Sequence, residues 1–208
     1  MSEVHYTASE ERLNVITHAI GVFLGIVGLL ALLFKASNFV EVLSSVVFGT
    51  SLIVLYTAST LYHASKNQKT RGKLRIFDHA AIYILIAGTY TPICLITLSL
   101  SIGTTLLYVI WSVAICGIVL KLFFTGRFDK LSTILYIAMG WIAIFAIKPL
   151  LETMNTEGLL WLLAGGIFYT LGAVLYSIRS IPMNHAVFHI CVLGGSFCHF
   201  VMIYHHVM

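Results

Sequence analysis

Apolar residues run in long stretches along almost the whole chain, and polar residues gather in short segments between them. Seven of these stretches approach the ~20 residues that a helix needs to cross the core of a bilayer. They cover residues 14–34, 42–62, 79–97, 102–123, 130–150, 158–178 and 185–206. The pattern predicts an all-α integral membrane protein built as a seven-transmembrane helix bundle.

The composition agrees with this class. Of the 208 residues, 59% are hydrophobic and 10% are charged, whereas soluble domains average about 45–50% and about 25%. The connections are too short for a soluble domain, so we expect one transmembrane domain over residues 1–208. The first stretch follows an acidic segment with Glu3, Glu10 and Glu11 and lacks a small-residue cleavage site, which favours a retained helix over a signal peptide.

The basic residues predict the orientation of the bundle. Ten of the 12 lysines and arginines precede the first span or follow even-numbered spans, and only Lys35 and Lys148 fall on the other side. The positive-inside rule therefore predicts a cytoplasmic N-terminus and an outside C-terminus. The net charge of +4 reflects this bias and gives no indication of nucleic-acid binding. The run from Lys66 to Arg75 is suited to anionic lipid headgroups. The ten residues are Arg12, Lys66, Lys69, Arg71, Lys73, Arg75, Lys121, Arg127, Lys130 and Arg179.

The cysteines carry little chemical information. All of them fall within predicted spans, and none forms a Cys-x-x-Cys pair. We therefore expect small buried hydrophobic residues rather than disulfides or metal ligands. They are Cys94, Cys116, Cys191 and Cys198.

Three histidines stand out inside the apolar stretches. His185 and His189 are one turn apart, so they project from the same face of the last helix. His63 closes the second span, four residues after Ser59, and Asp78 opens the third. The predicted topology places all of these residues at the cytoplasmic end of the bundle. Ionisable groups inside a membrane usually face a bundle interior, a cavity or a partner, so this shared layer predicts a metal site. Any one of these histidines taken alone could equally be hydrogen-bonded between helices.

The residue types predict the roles in that site. Three imidazoles with one open position form the ligand set of catalytic zinc sites, so Zn²⁺ is the expected ion, bound by His63, His185 and His189. Asp78 is the acidic residue placed to hold a water molecule and accept its proton. Ser59 could orient a ligand or donate to a developing oxyanion, or it could bond back to a helix carbonyl.

Other polar residues near this layer are expected to support it. Asn14 and His18 share a face of the first helix at the same depth. His79 points about 100° away from Asp78 around the third helix, and could contact the site or a headgroup. His199 lies about 21 Å beyond His185 along its helix, so we expect a polar or interfacial group near the outer face.

Four sequence motifs, in order along the chain, resemble the progestin and adipoQ receptor family. The resemblance covers nearly the whole chain and is closest to the compact bacterial branch, the hemolysin III proteins. It implies seven helices with a cytoplasmic N-terminus, zinc on three histidines and an aspartate that reaches the ion through water; it also brings Glu11 into the group around the ligands. The motifs are Glu11-Arg-Leu-Asn14-Val-Ile-Thr17-His18, Ser59-Thr-Leu-Tyr-His63, Phe77-Asp78 and His185-Ala-Val-Phe-His189.

The resemblance also implies a function. The wider group includes intramembrane hydrolases such as alkaline ceramidases, so a lipid amide or ester hydrolase with a role in membrane homeostasis is expected, with membrane lipids as partners and a bacterial inner or plasma membrane as the location. Two alternatives stay open: a receptor-like sensor in which zinc is structural, and a hemolysin-like lytic or channel protein. The long N-terminal region of the eukaryotic receptors is missing, so hormone recognition is not implied.

Overall fold

The structure is a computed structural model that describes residues 7–178 and 180–208, with the backbone alone at Asp129 and Lys130. Arg179 and the Lys130 side chain, counted above among the basic residues, lie outside the described part. Within it, all regular structure is helical, and the prediction of seven spans is confirmed. The helices are α1 (Ala8–Lys35), α2 (Phe39–Ala64), α3 (Gln68–Pro92), α4 (Leu100–Phe124), α5 (Asp129–Gly140), α6 (Ile147–Thr153), α7 (Thr156–Ser177) and α8 (Asn184–Met202).

Polar residues in the connections set where several helices begin. The side chains of Thr7, Asn38, Asn67 and Asn155 accept hydrogen bonds from free backbone N–H groups in the first turns of α1, α2, α3 and α7. Two helices consequently start earlier than hydropathy predicts. α1 begins at residue 8 rather than 14, and α3 at residue 68 rather than 79. The N-terminal turns of both helices therefore add polar surface to the same end of the bundle.

The fifth span is not the single continuous helix that hydropathy predicts over 130–150. α5 ends at Gly140, a 3-10 segment occupies Ile142–Ala146, and α6 completes the span. Pro149, in the first turn of α6, lacks an N–H to bond the carbonyl four residues earlier, and its ring crowds that carbonyl. The α-helical pattern therefore cannot run through this region unchanged.

One side chain bonds the backbone groups at this break. The Tyr90 hydroxyl of α3 donates to the Gly140 carbonyl at 2.8 Å and accepts from the Ala143 N–H at 2.8 Å. Because lipid offers no hydrogen bonds, backbone groups at membrane depth must find partners within the protein. Tyr90 thus stabilises the break and holds the fifth span against α3.

Glycines allow close packing of the helices that carry the histidines. Gly21 of α1 lies against the Tyr56 ring of α2. A Cβ added at Gly195 of α8 would lie 2.8 Å from the Tyr169 ring of α7. Small residues let neighbouring backbones approach closely in membranes. This packing brings the first turns of α8 beside the end of α2.

The orientation of the bundle is a prediction that reporter fusions can test. With seven spans, the two termini lie on opposite sides of the membrane. A reporter fused after Met208 should signal the outer compartment, and one inserted between α2 and α3 should signal the cytoplasm, because the basic residues cluster at that end. The reverse pattern would place the histidine layer at the outer face.

Candidate metal centre

Two helices bring three imidazoles together. The last turn of α2 carries His63, and the first two turns of α8 carry His185 and His189. One ring nitrogen from each lies within 4.8 Å of the others, and the rings are between 1% and 6% exposed. The Nε2 atoms of His63 and His185 are 3.2 Å apart. This is close to the about 3.4 Å that separates two nitrogens in a tetrahedral site with bonds of 2.0–2.1 Å. The group can therefore hold a metal ion.

In two of the three histidines, Nδ1 has a hydrogen-bond partner outside the cluster, as is usual for histidines that bind a metal ion. His63 Nδ1 lies 2.7 Å from a carboxylate oxygen of Glu11. A carboxylate only accepts, so Nδ1 carries the proton and Nε2 presents its lone pair to the cluster. His189 Nδ1 lies 3.4 Å from the Thr17 hydroxyl, which donates its own proton to the Leu13 carbonyl. Such outer partners fix the tautomer and ring orientation of metal ligands.

Asp78 lies beside the three histidines but outside the group that shares one ion position. Its side chain is buried next to Ser59, at the start of the membrane-embedded part of α3. His79 Nδ1 is 3.7 Å from the Asp78 carboxylate and donates to the Arg75 carbonyl at 2.8 Å. The structure thus brings Asp78 and Ser59 into one wall of the site, with His79 at its edge.

α1 contributes the expected layer of polar residues. The His18 ring stacks on His189 with centroids 3.5 Å apart, and the edge of Tyr56 packs against it at 5.0 Å. Neither His18 ring nitrogen has a hydrogen-bond partner among the described residues. The Asn14 amide lies 3.4 Å from His63 Nδ1. Both side chains therefore contact the histidine cluster.

Arg71 has a role that the sequence did not reveal. Its guanidinium pairs with the second oxygen of Glu11, donates to the Tyr62 and Ser65 carbonyls and lies 4.6 Å from the Tyr62 ring centroid. The guanidinium of this member of the Lys66–Arg75 run caps the end of α2, and contact of the run with lipid headgroups stays a prediction. Sequence spacing could not reveal this, since Glu11 and Arg71 are 60 residues apart.

The contact between Glu11 and His63 makes a specific prediction. In Glu11→Gln, the amide is a weaker hydrogen-bond acceptor for His63 Nδ1–H, so metal affinity should fall by about 10- to 100-fold. Competition with a chromophoric zinc chelator measures this change. Glu10→Gln is the matched control, because that neighbouring carboxylate has no described contact with the histidines. Equal affinities in the two variants would exclude an orienting role for Glu11.

Two cavities meet at the cluster. An open vestibule of about 1840 Å³ lies among the ends of α1, α2, α3 and α8. An inner cavity of about 150 Å³ lies between α3, α5, α7 and α8. His79 and His185 line both spaces. Asp78 and Ser59 line the inner cavity, which continues along apolar residues such as Ile82. The cluster therefore stands where a space with charged side chains in its wall meets an apolar one.

His199 is not the exposed interfacial group that its position along the helix suggests. Its side chain is 8% exposed and lines the inner cavity, and its Nε2–H donates to the Leu162 carbonyl of α7 at 3.2 Å. The residue count along α8 gives the depth of a side chain but does not show which way that side chain faces. Gly165 leaves the space that the ring occupies, so His199 lies in the core between α7 and α8.

Comparison with known proteins identifies the family. The family model described as haemolysin-III related matches residues 6–200. The chain belongs to this family. The chain is similar to Hemolysin-3 of Bacillus cereus, 47% identical over 94% of this chain and 91% of that protein. It is also similar to the Hemolysin-3 homolog of Bacillus subtilis (strain 168), 46% identical over 92% of this chain and 91% of that protein. The human monocyte to macrophage differentiation factor is 26% identical over 95% of this chain and 84% of its own. The resemblance found in the sequence is confirmed, and this haemolysin-III related protein is a multi-pass protein of the cell membrane.

Proposed function

We propose that this protein is a zinc-dependent intramembrane hydrolase that cleaves a lipid amide or ester and serves membrane homeostasis. The observation that carries the proposal is the position of Asp78. This carboxylate lines the inner cavity beside the three histidines, yet it stands outside the group that can share an ion. A structural zinc site closes with four protein ligands, whereas a catalytic site uses three and keeps one position open.

Zinc is the ion that the donor set suits best. His63, His185 and His189 would hold it through three neutral imidazoles, a ligand set typical of catalytic zinc. When bound, zinc would supply Lewis-acid activation of a water molecule and of the substrate carbonyl. The carboxylate–histidine contact at Glu11 is a common feature around such ions.

The protein side chains account for the proton transfers of a hydrolysis. Asp78 accepts a proton from the attacking water as its oxygen bonds to the carbonyl carbon. Asp78 then returns that proton to the leaving nitrogen or oxygen, and the C–N or C–O bond breaks. The products are a fatty acid and an amine or alcohol. Ser59, next to Asp78, orients the carboxylate or donates to the carbonyl oxygen.

A non-enzymatic sensor is the second candidate, and one observation favours it. Within the described residues, the three histidines that can share an ion come from the last turn of α2 and the first turns of α8. An ion would therefore tie these helix ends together whether or not any reaction follows. A lytic role is the third candidate, and it rests only on the names of the Bacillus relatives.

The test is release of fatty acid by purified, zinc-loaded protein in lipid nanodiscs. The panel contains lipid amides, lipid esters and a total lipid extract of the native membrane. The hydrolase proposal expects release from at least one class, and His185→Ala should abolish it. Full zinc content without release from any member of the panel would favour the sensor.

A further inference from the structure

The vestibule carries a distinct set of charges. Its wall includes four basic residues and two acidic ones: Arg12, Lys66, Arg71 and Arg75, and Glu10 and Glu11. Arg71 and Glu11 neutralise each other. Arg12 and Lys66 are exposed in the wall and form no ion pair with any described residue. The space next to the histidines is therefore positively charged.

The inner cavity, in contrast, is mainly apolar. Between the polar groups at the histidine cluster and His199, it is lined by apolar side chains such as Leu55, Ile86 and Val192. Its volume of about 150 Å³ matches that of apolar cavities that admit a benzene-sized group. This space suits a segment of one acyl chain and is too small for two chains side by side.

We propose that the ligand of this protein is a single-chain amphiphile with a phosphate-bearing headgroup. The chain enters the inner cavity, and the phosphate lies in the vestibule near Arg12 and Lys66. Two features support this assignment: the cavities meet at His79 and His185, and cationic side chains attract the phosphate groups of membrane lipids. The inference rests on the proposed function, because it places the bond between chain and headgroup beside the histidines.

Two lipids that carry the same acyl ester, one with a phosphate group and one without, test the contribution of the phosphate to binding. Oleoyl lysophosphatidic acid and oleoyl glycerol each compete with a fluorescent single-chain fatty acid probe for binding to the protein in phosphatidylcholine nanodiscs. The protein carries Asp78→Asn, because this substitution suppresses turnover during the measurement. We expect the phosphate-bearing lipid to compete about tenfold better at low salt, and salt to weaken the preference. In Arg12→Gln, Lys66→Gln protein the two lipids should compete equally.

A matched control removes two positive charges from a surface outside the vestibule. Lys69 and Lys73 lie on the exposed surface of α3 and do not line the vestibule. Lys69→Gln, Lys73→Gln protein should retain the preference in full. An equal loss in this control would assign the effect to general attraction by the basic membrane face and overturn the proposal.

Three further outcomes would contradict the assignment of the ligand. If oleoyl glycerol competes as well as the phosphate-bearing lipid on the protein with both vestibule charges intact, the headgroup assignment fails while the hydrolase proposal stands. If inorganic phosphate alone displaces the probe as effectively as the lipid, the vestibule is a simple anion site and the assignment again fails. If no single-chain lipid competes with the probe, the ligand assignment fails, and fatty acid release from the wider lipid panel decides separately whether the hydrolase proposal stands.

Discussion

Zinc content should fall from about one ion per chain to almost none when His185 and His189 are both replaced by alanine. Each substitution removes one of three imidazoles that converge on one position, and a single remaining histidine cannot hold the ion firmly. Inductively coupled plasma mass spectrometry on protein purified without added metal gives the stoichiometry. Each single variant should show a large but smaller loss.

His205→Ala, His206→Ala is the matched control for this pair. These histidines follow α8 at the opposite end of the same span and are not part of the cluster. The control should retain full zinc content. If the cluster variant remains folded by circular dichroism and keeps its zinc, the three-histidine assignment is wrong. A different first-row metal at full stoichiometry in the unmodified protein would keep the site but change the ion.

Hydropathy was sufficient to predict the seven spans, because membrane insertion depends on the summed apolar character of about 20 residues. Because hydropathy sums apolar character in this way, it places the start of α3 at residue 79, whereas the helix begins at residue 68. Residues 68–78 contain Lys69, Arg71, Lys73 and Arg75, which lower the apolar signal without lowering helix propensity. The break in the fifth span was missed because hydropathy does not register the hydrogen bond that Pro149 cannot make.

The histidine cluster could be predicted because its spacing is local. His185 and His189 share a face at i, i+4, and the order of spans returns His63 and Asp78 to the same end of the bundle. The contacts among these residues depend on how the helices rotate about their axes. Sequence spacing does not fix that rotation, so the bond between Glu11 and His63 and the inward position of His199 required the structure.

Asp78→Asn should separate metal binding from turnover. The three histidines can hold an ion without this carboxylate, so zinc content should stay near the unmodified value. Asparagine cannot accept the proton of the attacking water, so fatty acid release should fall by about 10²- to 10⁴-fold. Both quantities are measured on the same preparations, together with the thermal unfolding midpoint.

The unfolding midpoint distinguishes a chemical defect from a structural one. Glu152→Gln, an exposed carboxylate on α6, is the control and should match the unmodified protein in zinc content, activity and midpoint. In the hydrolase, Asp78→Asn loses activity while its midpoint changes little, because the amide keeps the shape of the carboxyl group next to Ser59. In a sensor with structural zinc there is no turnover to lose, and any functional defect follows the midpoint. Loss of zinc in Asp78→Asn would show that the carboxylate binds the ion directly and would contradict the proton-transfer role assigned to it.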